Sequence, residues 1–323
     1  MKFRSVRIQM IEPCHAHCAW CSTHKKNPTF RTLVKTREAE AFHALYAEVI
    51  ERHQPEELFI SGGEPLLSDD LLPLLEKVAH IPKTIHIFTS YQFARRVMDR
   101  IAARDYPENV VFNHTTIYFE PERWLKLTGF PFDVYADNVR RAVAMPVRKR
   151  FKFIVNHSKL VEEIQRFQDL VDPNESCEIS LKVMNDQGNG MVVDTLQKSA
   201  DRVHDRLGNL DAVLEDAGWH QNRPRTSADR VAKVIETGDV SHCPYRDAPL
   251  ELRLAFYRGG DGKSVVKYRY CPYFPPDFGH KFHLGRDELR KFGRNFEKGP
   301  FRSHCGDCRL LHYQCASEAD DGQ

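Results

Sequence analysis

The chain has 323 residues, of which 41% are hydrophobic and 28% charged, a composition typical of a globular protein and not of a disordered or fibrous one. Its 47 basic and 45 acidic residues leave a formal charge of +2 without a long like-charged block, so no nucleic-acid partner is indicated. No apolar run suits a membrane span, and residues 1–11 lack the apolar stretch of a signal peptide. We therefore expect a cytoplasmic protein of two lobes.

The first half of the sequence alternates β-like runs with helical periodicity, which is the pattern of βα units around a parallel sheet. The predicted strands cover residues 4–11, 58–60, 84–89, 110–118, 150–155 and 178–183. Helices are predicted at 134–143 and 160–171. Another helix is predicted directly after a cap at Ser68. A fourth is predicted because a set of apolar residues shares one helical face: Phe42, Leu45, Tyr46, Val49 and Ile50. Six βα units by about residue 195 predict an α/β fold, an open, partial TIM-like barrel.

The pattern changes in the second half. Alternating runs at 250–256 and 265–270 flank a Gly-Gly-Asp-Gly turn, a strong signal for a β-hairpin. The predicted domains are the barrel over 1–195, a helical connector over 196–240, a small hairpin-containing lobe over 241–316, and a tail over 317–323.

Nine cysteines are many for a cytoplasmic protein, where disulfides are rare, so metal or cluster ligation is the first explanation to consider. Three cluster near the start of the chain and five fall after residue 240, with Cys177 alone between them. The distribution predicts two cysteine centres.

The first centre comprises Cys14, Cys18 and Cys21, in the loop after the first predicted strand. Thiolates at this spacing can hold three irons of a 4Fe-4S cluster and leave the fourth iron open for a small chelating molecule. The alternative is a zinc site whose fourth ligand is one of the nearby histidines, His15, His17 or His24.

A second motif, Gly62-Gly63-Glu64-Pro65, follows the second predicted strand. Glycines there let the backbone approach a ligand closely, and the Glu64 carboxylate can accept hydrogen bonds from an amino group. Taken alone, the motif is more typical of a tight turn with a solvated glutamate.

Together the cysteine triplet, Trp20 just before its last cysteine, and the Gly-Gly-Glu motif resemble the signature of the radical S-adenosylmethionine (SAM) superfamily. The resemblance implies that the triplet holds a 4Fe-4S cluster whose open iron takes the amino and carboxylate groups of SAM, with Gly62, Gly63 and Glu64 at the amino group. It also implies that an electron, from a reducing partner such as flavodoxin or ferredoxin, cleaves SAM to a 5′-deoxyadenosyl radical that abstracts hydrogen from the substrate.

Residues 110–185 resemble the branch that contains molybdenum-cofactor biosynthesis protein A and the peptide maturases. In that branch polar groups near the end of strand four contact the ribose of SAM, which makes Asn113, Thr115 and Thr116 candidates here. The Ser-Leu-Asp of the branch is replaced by Tyr-Phe-Glu at 118–120. Asn156 stands where strand five should face SAM, or is a turn residue.

The second centre resembles the SPASM and twitch extensions of radical SAM enzymes. The order of Cys243, the hairpin, Cys271, and then Cys305 and Cys308 implies one auxiliary 4Fe-4S cluster. Cys315 departs from the SPASM spacing and is a spare or alternative ligand. A structural zinc ribbon built on the same four thiolates is the competing interpretation.

Two interpretations of Cys177 are open: a buried side chain of the hydrophobic core, or a hydrogen-atom donor to a substrate radical. Several histidines are candidate acid–base groups: His114, His242, His280 and His304.

The sequence thus predicts a radical SAM enzyme that dehydrogenates, epimerises or rearranges a small-molecule biosynthetic intermediate. Because the triplet begins at Cys14, we expect no N-terminal module of the kind with which many peptide-modifying relatives grip a leader peptide. A peptide maturase that forms a cross-link, epimer or thioether is the alternative. A non-enzymatic zinc or iron-sulfur regulator is the alternative of another class.

Overall fold

A computed structural model of the chain describes residues 5–10, 14, 37–116, 119–154, 160–170, 177–182, 251–258, 264–269 and 280–283. Nine strands in these ranges form one sheet in the order β6-β5-β4-β3-β2-β1-β7-β8-β9. Neighbouring strands from β6 across to β7 run parallel, whereas β7, β8 and β9 pair antiparallel.

The strands are β1 Ser5–Met10, β2 Glu57–Gly62, β3 Thr84–Thr89, β4 Val110–Thr116, β5 Arg148–Ile154, β6 Cys177–Lys182, β7 Glu251–Arg258, β8 Ser264–Arg269 and β9 His280–His283. The helices are α1 Arg37–His53, α2 Leu71–Val78, α3 Arg95–Ala102, α4 Pro121–Thr128, α5 Phe132–Ala144 and α6 Leu160–Leu170, with a short 3-10 helix at Pro65–Leu67.

One face of the parallel sheet is buried against the helices. Alternate strand residues such as Val6, Ile8, Leu58 and Ile60 are fully buried, because side chains of a strand point to opposite faces with a period of two. They form one core with buried side chains of α1 to α3 and α5, namely Tyr46, Val49, Ile50, Leu71, Leu75, Val78, Met98, Ile101, Tyr135 and Val139.

The opposite face carries polar and aromatic side chains that touch one another, and we call it the lumen face. Its described members include Arg7, Phe59, His86, Phe88, Asn113 and Lys152. The Phe59 ring stacks on His86 with 4.7 Å between ring centroids, and Asn113 Nδ2 lies 3.2 Å from His86 Nδ1. Arg7 and Lys152 both lie over the Phe88 ring, with the Arg7 Cζ 5.2 Å and the Lys152 Nζ 4.7 Å from its centroid. Phe88 lies on β3, midway between β1 and β5, and the long Arg7 and Lys152 side chains both reach its ring.

The predicted partial barrel is confirmed, because six parallel strands alternate with helices and do not close. The third strand has the predicted bounds, and the other five lie within a few residues of theirs. Ser68 lies just outside α2, and its Oγ accepts a hydrogen bond from the Asp70 amide at 3.2 Å. The N-cap residue of α2 is Asp70, without a side-chain cap hydrogen bond, so the cap predicted at Ser68 is two residues too early.

The predicted hairpin is present as β7 and β8, but it does not make a separate sheet among the described strands. β7 pairs in parallel with β1, from Ser5 beside Glu251 to Ile8 beside Leu254. The hairpin therefore extends the barrel sheet beyond β1. The proposed boundaries at 195, 240 and 316 lie outside the described residues and stay predictions.

No helix within the described ranges is both long and apolar enough to span a bilayer.

Candidate functional site

The carboxyl ends of β1 and β2 lie side by side, since Met10 is paired with Gly62 at the last position of both strands. Cys14 follows β1 closely; it is half-buried and is not part of a disulfide. Glu64 follows β2. The first cysteine of the predicted triplet and the glutamate of the second motif therefore leave the same edge of the sheet, where ligands bind in open α/β sheets.

Gly62 requires the absence of a side chain. Its φ of 143° lies in the region that L side chains rarely adopt, and a Cβ there would stand 2.1 Å from the Met10 carbonyl oxygen. The close approach of β1 and β2 at this edge thus depends on glycine. Gly63 is half-buried beside it.

The Glu64 side chain is not solvated, because it is 0% exposed. Its Oε2 accepts hydrogen bonds from the Ser90 amide and hydroxyl, each at 2.7 Å. Its Oε1 accepts from the Leu66 amide at 3.4 Å, which makes Glu64 the N-cap of the 3-10 helix. These bonds fix the carboxylate at the edge of the sheet.

Burial raises the pKa of Glu64, and the hydrogen bonds from Ser90, Thr89 and Leu66 oppose that rise. Among the ion pairs of the described residues none involves Glu64. A buried carboxylate without a cation is costly, and a ligand that brings N–H donors and positive charge would offset that cost.

Thr89 and Ser90 were missed in the sequence. Thr89 ends the predicted third strand and Ser90 directly follows it, and the carboxyl ends of adjacent parallel strands meet at one edge. This rule could have identified Thr89 and Ser90 from the sequence, because β2 and β3 are neighbouring parallel strands and the site residues lie at their carboxyl ends.

Asn113 lies within β4 and is 1% exposed on the lumen face. Its Nδ2 donates to the Val111 carbonyl at 3.1 Å and lies near His86, while its Oδ1 has no hydrogen-bond partner among the described residues. The amide oxygen is therefore a buried acceptor available to a donor such as a hydroxyl group. Thr115 is half-buried, and Thr116 is the last residue of the strand, with its backbone paired to Phe153.

Several predicted site residues lie outside the described residues, and their placement stays a prediction. For the first centre and the SAM site these are Cys18, Trp20, Cys21 and Asn156. For the second centre they are Cys243, Cys271, Cys305, Cys308 and Cys315.

Cys177 lies far from Glu64 along the sheet, at the amino-terminal start of β6. It is 3% exposed and belongs to the core under the helices. Its register partner Lys149 donates through Nζ to the Val143 carbonyl at 2.9 Å and also to the Met145 carbonyl, both at the end of α5. This environment favours the interpretation of Cys177 as a buried hydrophobe over that of a hydrogen-atom donor.

His114 is buried on the helix-covered face. Its Nδ1 lies 3.0 Å from the Thr89 carbonyl oxygen and its Nε2 lies 2.7 Å from the Tyr135 hydroxyl. Burial lowers the pKa of His114 to about 4, so the ring is neutral at physiological pH. The contacts of this histidine are those of a core group. Of the other histidines named above, His280 begins β9, and His242 and His304 lie outside the described ranges.

A family model described as the Radical SAM superfamily matches residues 8–171, about half of the sequence. The matched region contains the cysteine triplet, Glu64, the end of β1 and the whole of β2 to β5. No curated protein matches the sequence.

The fold is similar to that of SuiB from Streptococcus suis, with a TM-score of 0.53 and 14% identity over 87% of this chain and 63% of SuiB. SuiB bound to S-adenosylmethionine gives a TM-score of 0.52 and 13% identity over 87% of this chain and 61% of that one. The chain thus spans somewhat less than two thirds of SuiB. HemN, the coproporphyrinogen III oxidase of Escherichia coli, gives a TM-score of 0.45 and 13% identity over 89% of this chain and 74% of HemN.

Proposed function

Because the chain belongs to the radical SAM superfamily, we propose that it reductively cleaves S-adenosylmethionine and abstracts hydrogen from a small-molecule substrate held on the lumen face. The single observation that carries this proposal is the buried Glu64 carboxylate, fixed at the carboxyl edge of the sheet without a cation among the described residues.

Glu64 would accept a hydrogen bond from the amino group of SAM. The two Ser90 bonds already orient Oε2, so binding requires little further ordering of the side chain. Gly62 keeps Cβ atoms out of the space beside Met10, and this lets the strand ends approach closely. The positive charge of the ligand would offset the cost of the buried carboxylate.

Asn113 supports the same assignment, because its unpartnered Oδ1 on the lumen face can accept a hydrogen bond from a ribose hydroxyl. Thr116 and Asn156 are proposed to contribute from the ends of strands four and five, and Trp20 from the cysteine loop.

Cys14, Cys18 and Cys21 would ligate three irons of the 4Fe-4S cluster. When bound, the cluster and SAM supply a 5′-deoxyadenosyl radical, with the electron coming from flavodoxin or ferredoxin.

An auxiliary 4Fe-4S cluster is proposed on Cys243, Cys271, Cys305 and Cys308, with Cys315 as the alternative ligand. The pairing of Arg253 with Arg269 brings together the start of β7 and the end of β8, which are the hairpin ends nearest to Cys243 and Cys271. These ends lie beside the amino-terminal end of β1, because Ser5 pairs with Glu251. The two cysteines are thus proposed near the edge of the sheet opposite Glu64.

A peptide substrate is the second candidate. The observation behind it is the fold similarity to SuiB, of which one structure is described as bound to precursor peptide SuiA. A metal-binding regulator without catalysis is the candidate of another class.

Anaerobic reconstitution of the full chain separates these candidates. The proposal requires about eight irons and eight sulfides per chain and the formation of 5′-deoxyadenosine from SAM and dithionite. An iron content of about four per chain would contradict the proposed auxiliary cluster. Stoichiometric zinc without SAM cleavage would establish the regulator instead.

Two cysteine variants test the division of roles. Cys18→Ala should abolish SAM cleavage, whereas Cys308→Ala should keep part of it and lose substrate turnover. The reverse pattern would contradict the assignment of the two centres. Mass spectrometry of co-purified ligands would then distinguish a small molecule from a peptide.

A further inference from the structure

The loop that contains Ser90 has a strained residue. Tyr91 adopts a φ of 55°, in the left-handed region that favours glycine, although its large side chain is fully buried. A residue in this region persists only where its surroundings hold it there, and such residues concentrate at functional sites. Tyr91 directly follows the residue that donates two hydrogen bonds to Glu64. Ser90 is thus held between the end of β3 on one side and this turn on the other.

Asn138 of α5 holds the turn from the helix. Its Nδ2 donates to the Tyr91 carbonyl at 3.0 Å and to the Phe93 carbonyl at 2.7 Å. A side-chain amide has two N–H donors, so both are used on one short loop. The two carbonyls belong to backbone that would otherwise need other hydrogen-bond partners in the core. Asn138 therefore clamps the segment from Tyr91 to Phe93.

The amide oxygen of Asn138 shows that the clamp is not a consequence of packing alone. Asn138 is 0% exposed, and its Oδ1 is buried without a hydrogen-bond partner among the residues that the structure describes. A buried acceptor without a donor costs free energy, and an apolar residue at this core position would avoid that cost. The two bonds to the loop account for a polar side chain here.

The other hydrogen bonds of this loop are local. The Tyr91 amide donates to Thr89 Oγ1 at 3.3 Å, and the Gln92 amide donates to Ser90 Oγ at 3.2 Å. Each joins residues two positions apart, so these bonds move with the loop. The Asn138 bonds span 47 and 45 residues of sequence and fix the loop to α5.

We propose that Asn138 is a positioning residue for the SAM-binding carboxylate: by holding the turn at Tyr91, it places the two Ser90 donors on Glu64. This inference rests on the proposed function for the identity of the ligand at Glu64. It extends the site from the strand ends to α5.

The test measures SAM binding to the anaerobically reconstituted full chain by calorimetry at several pH values, together with urea denaturation of the same variants. Asn138→Ala removes both N–H donors and releases the turn. We expect SAM to bind about ten-fold more weakly. The loss of affinity on acidification should also begin at a higher pH, because the hydrogen bonds from Ser90 lower the pKa of Glu64.

The pH profile can be assigned to Glu64. Among the described residues, Tyr91 and Tyr106 are the titratable groups whose pKa values respond to its charge. Burial and the Glu64 charge raise the pKa of Tyr91, and burial raises that of Tyr106 against the opposing charge of Arg104. Both hydroxyls therefore stay neutral at neutral and mildly acidic pH.

Asn109→Ala is the matched control. Asn109 Nδ2 also bonds two backbone carbonyls, of Ala79 at 2.9 Å and of Pro82 at 2.8 Å. It lies just before β4, at the edge of the sheet opposite Glu64. Loss of this clamp should lower the urea midpoint and leave both SAM affinity and its pH profile unchanged.

Equal losses of SAM affinity in the two alanine variants, or an unshifted pH profile in Asn138→Ala, would overturn the inference. If Asn138→Ala does not fold, Asn138→Ser keeps a hydroxyl donor and should show a smaller shift in the same direction; an unshifted profile there is equally decisive. SAM binding and cleavage by the wild-type protein are measured separately. A wild type that binds and cleaves SAM beside an Asn138 variant with the same profile refutes only this inference, whereas a wild type that does not bind SAM refutes the proposed function and the ligand on which the inference rests.

Discussion

The Ser90 hydroxyl donates a hydrogen bond to Glu64 Oε2 at 2.7 Å, and the amide of the same residue donates another of equal length. One residue at the end of β3 therefore fixes the carboxylate that follows β2. Both bonds favour the ionised form of Glu64 and oppose the effect of burial on its pKa. Ser90 is a positioning residue for the proposed SAM contact.

Removing the hydroxyl in Ser90→Ala should weaken SAM binding about three- to ten-fold, because one hydrogen bond to a charged acceptor is lost while the amide bond remains. The variant should also raise the pKa of Glu64 further. Calorimetric titration with SAM at several pH values measures both effects. Ser61→Ala is the matched control, since Ser61 Oγ bonds the Ile8 carbonyl and not Glu64. Equal losses in the two variants would show that Ser90 has only a structural role.

The raised pKa of Glu64 predicts a pH dependence of SAM affinity. As pH falls, Glu64 takes up a proton at a higher pH than an ordinary glutamate, near 4.3, and the protonated group is a poorer acceptor for the amino group of SAM. Affinity should therefore fall on acidification before ordinary carboxylates titrate. Glu64→Gln should bind SAM weakly at every pH, and a wild-type affinity that follows the same flat profile would contradict the role of Glu64.

The effect of Glu64 on folding stability changes with pH in the opposite direction from its effect on SAM affinity. A carboxyl group whose pKa is raised in the folded state stabilises the fold below its unfolded pKa, and that contribution is lost as pH rises through the folded pKa.

Gly62→Ala should destabilise the protein severely. The new Cβ would stand 2.1 Å from the Met10 carbonyl oxygen. The alanine would also have to adopt a φ of 143°. A clash with backbone cannot be relieved by rotating a side chain, so we expect a loss of about 3 kcal/mol or more in the free energy of unfolding. Urea denaturation of the full chain measures it.

Gly129→Ala is the comparison, because Gly129 also has a positive φ, 66°, but in the left-handed cap of α4. We expect a loss of about 1 kcal/mol there. Similar losses at the two positions would mean that the close approach to Met10 does not matter.

His114 predicts a loss of stability in mild acid. Its pKa is lowered to about 4 by burial, so its contribution is fully present above the unfolded value near 6.5 and is lost as pH falls from there through 4. The contribution of His114 to the free energy of unfolding that is lost over this range is about 3 kcal/mol. Denaturation between pH 7 and 4 should therefore show a shallower decline for His114→Gln than for the wild type.

Tyr135→Phe serves as the control, since it removes the hydroxyl partner of His114 Nε2 but keeps the titrating ring. It should lower the free energy of unfolding at neutral pH and retain a steep decline in acid. A wild-type slope unchanged by His114→Gln would refute the assignment.

The parallel sheet could be predicted from the sequence because its strands are short runs of apolar and β-branched residues at regular spacing, as in Thr84 to Thr89. The position of Glu64 could be predicted for the same reason, since its motif directly follows such a run. The burial of Glu64 could not, because it depends on Leu66 and Ser90 folding back over the carboxylate.

The pairing of β1 with β7 was also inaccessible from the sequence. Ser5–Met10 and Glu251–Arg258 are far apart along the chain, and local patterns contain no information on which distant strands will pair. For the same reason the hairpin was predicted correctly as a hairpin, while its attachment to β1 was not foreseen.

β1 is an interior strand of the sheet, with β2 on one side and β7 on the other. Its second partner, β7, comes late in the sequence, so one side of β1 keeps its backbone N–H and C=O groups unpaired until β7 has emerged. An unpaired strand edge is a template for association with other chains. Translation of residues beyond 250 is thus a step in completing the barrel wall. A fragment that stops before β7 would leave the β1 edge open to aggregation even with every residue of the Glu64 site in place.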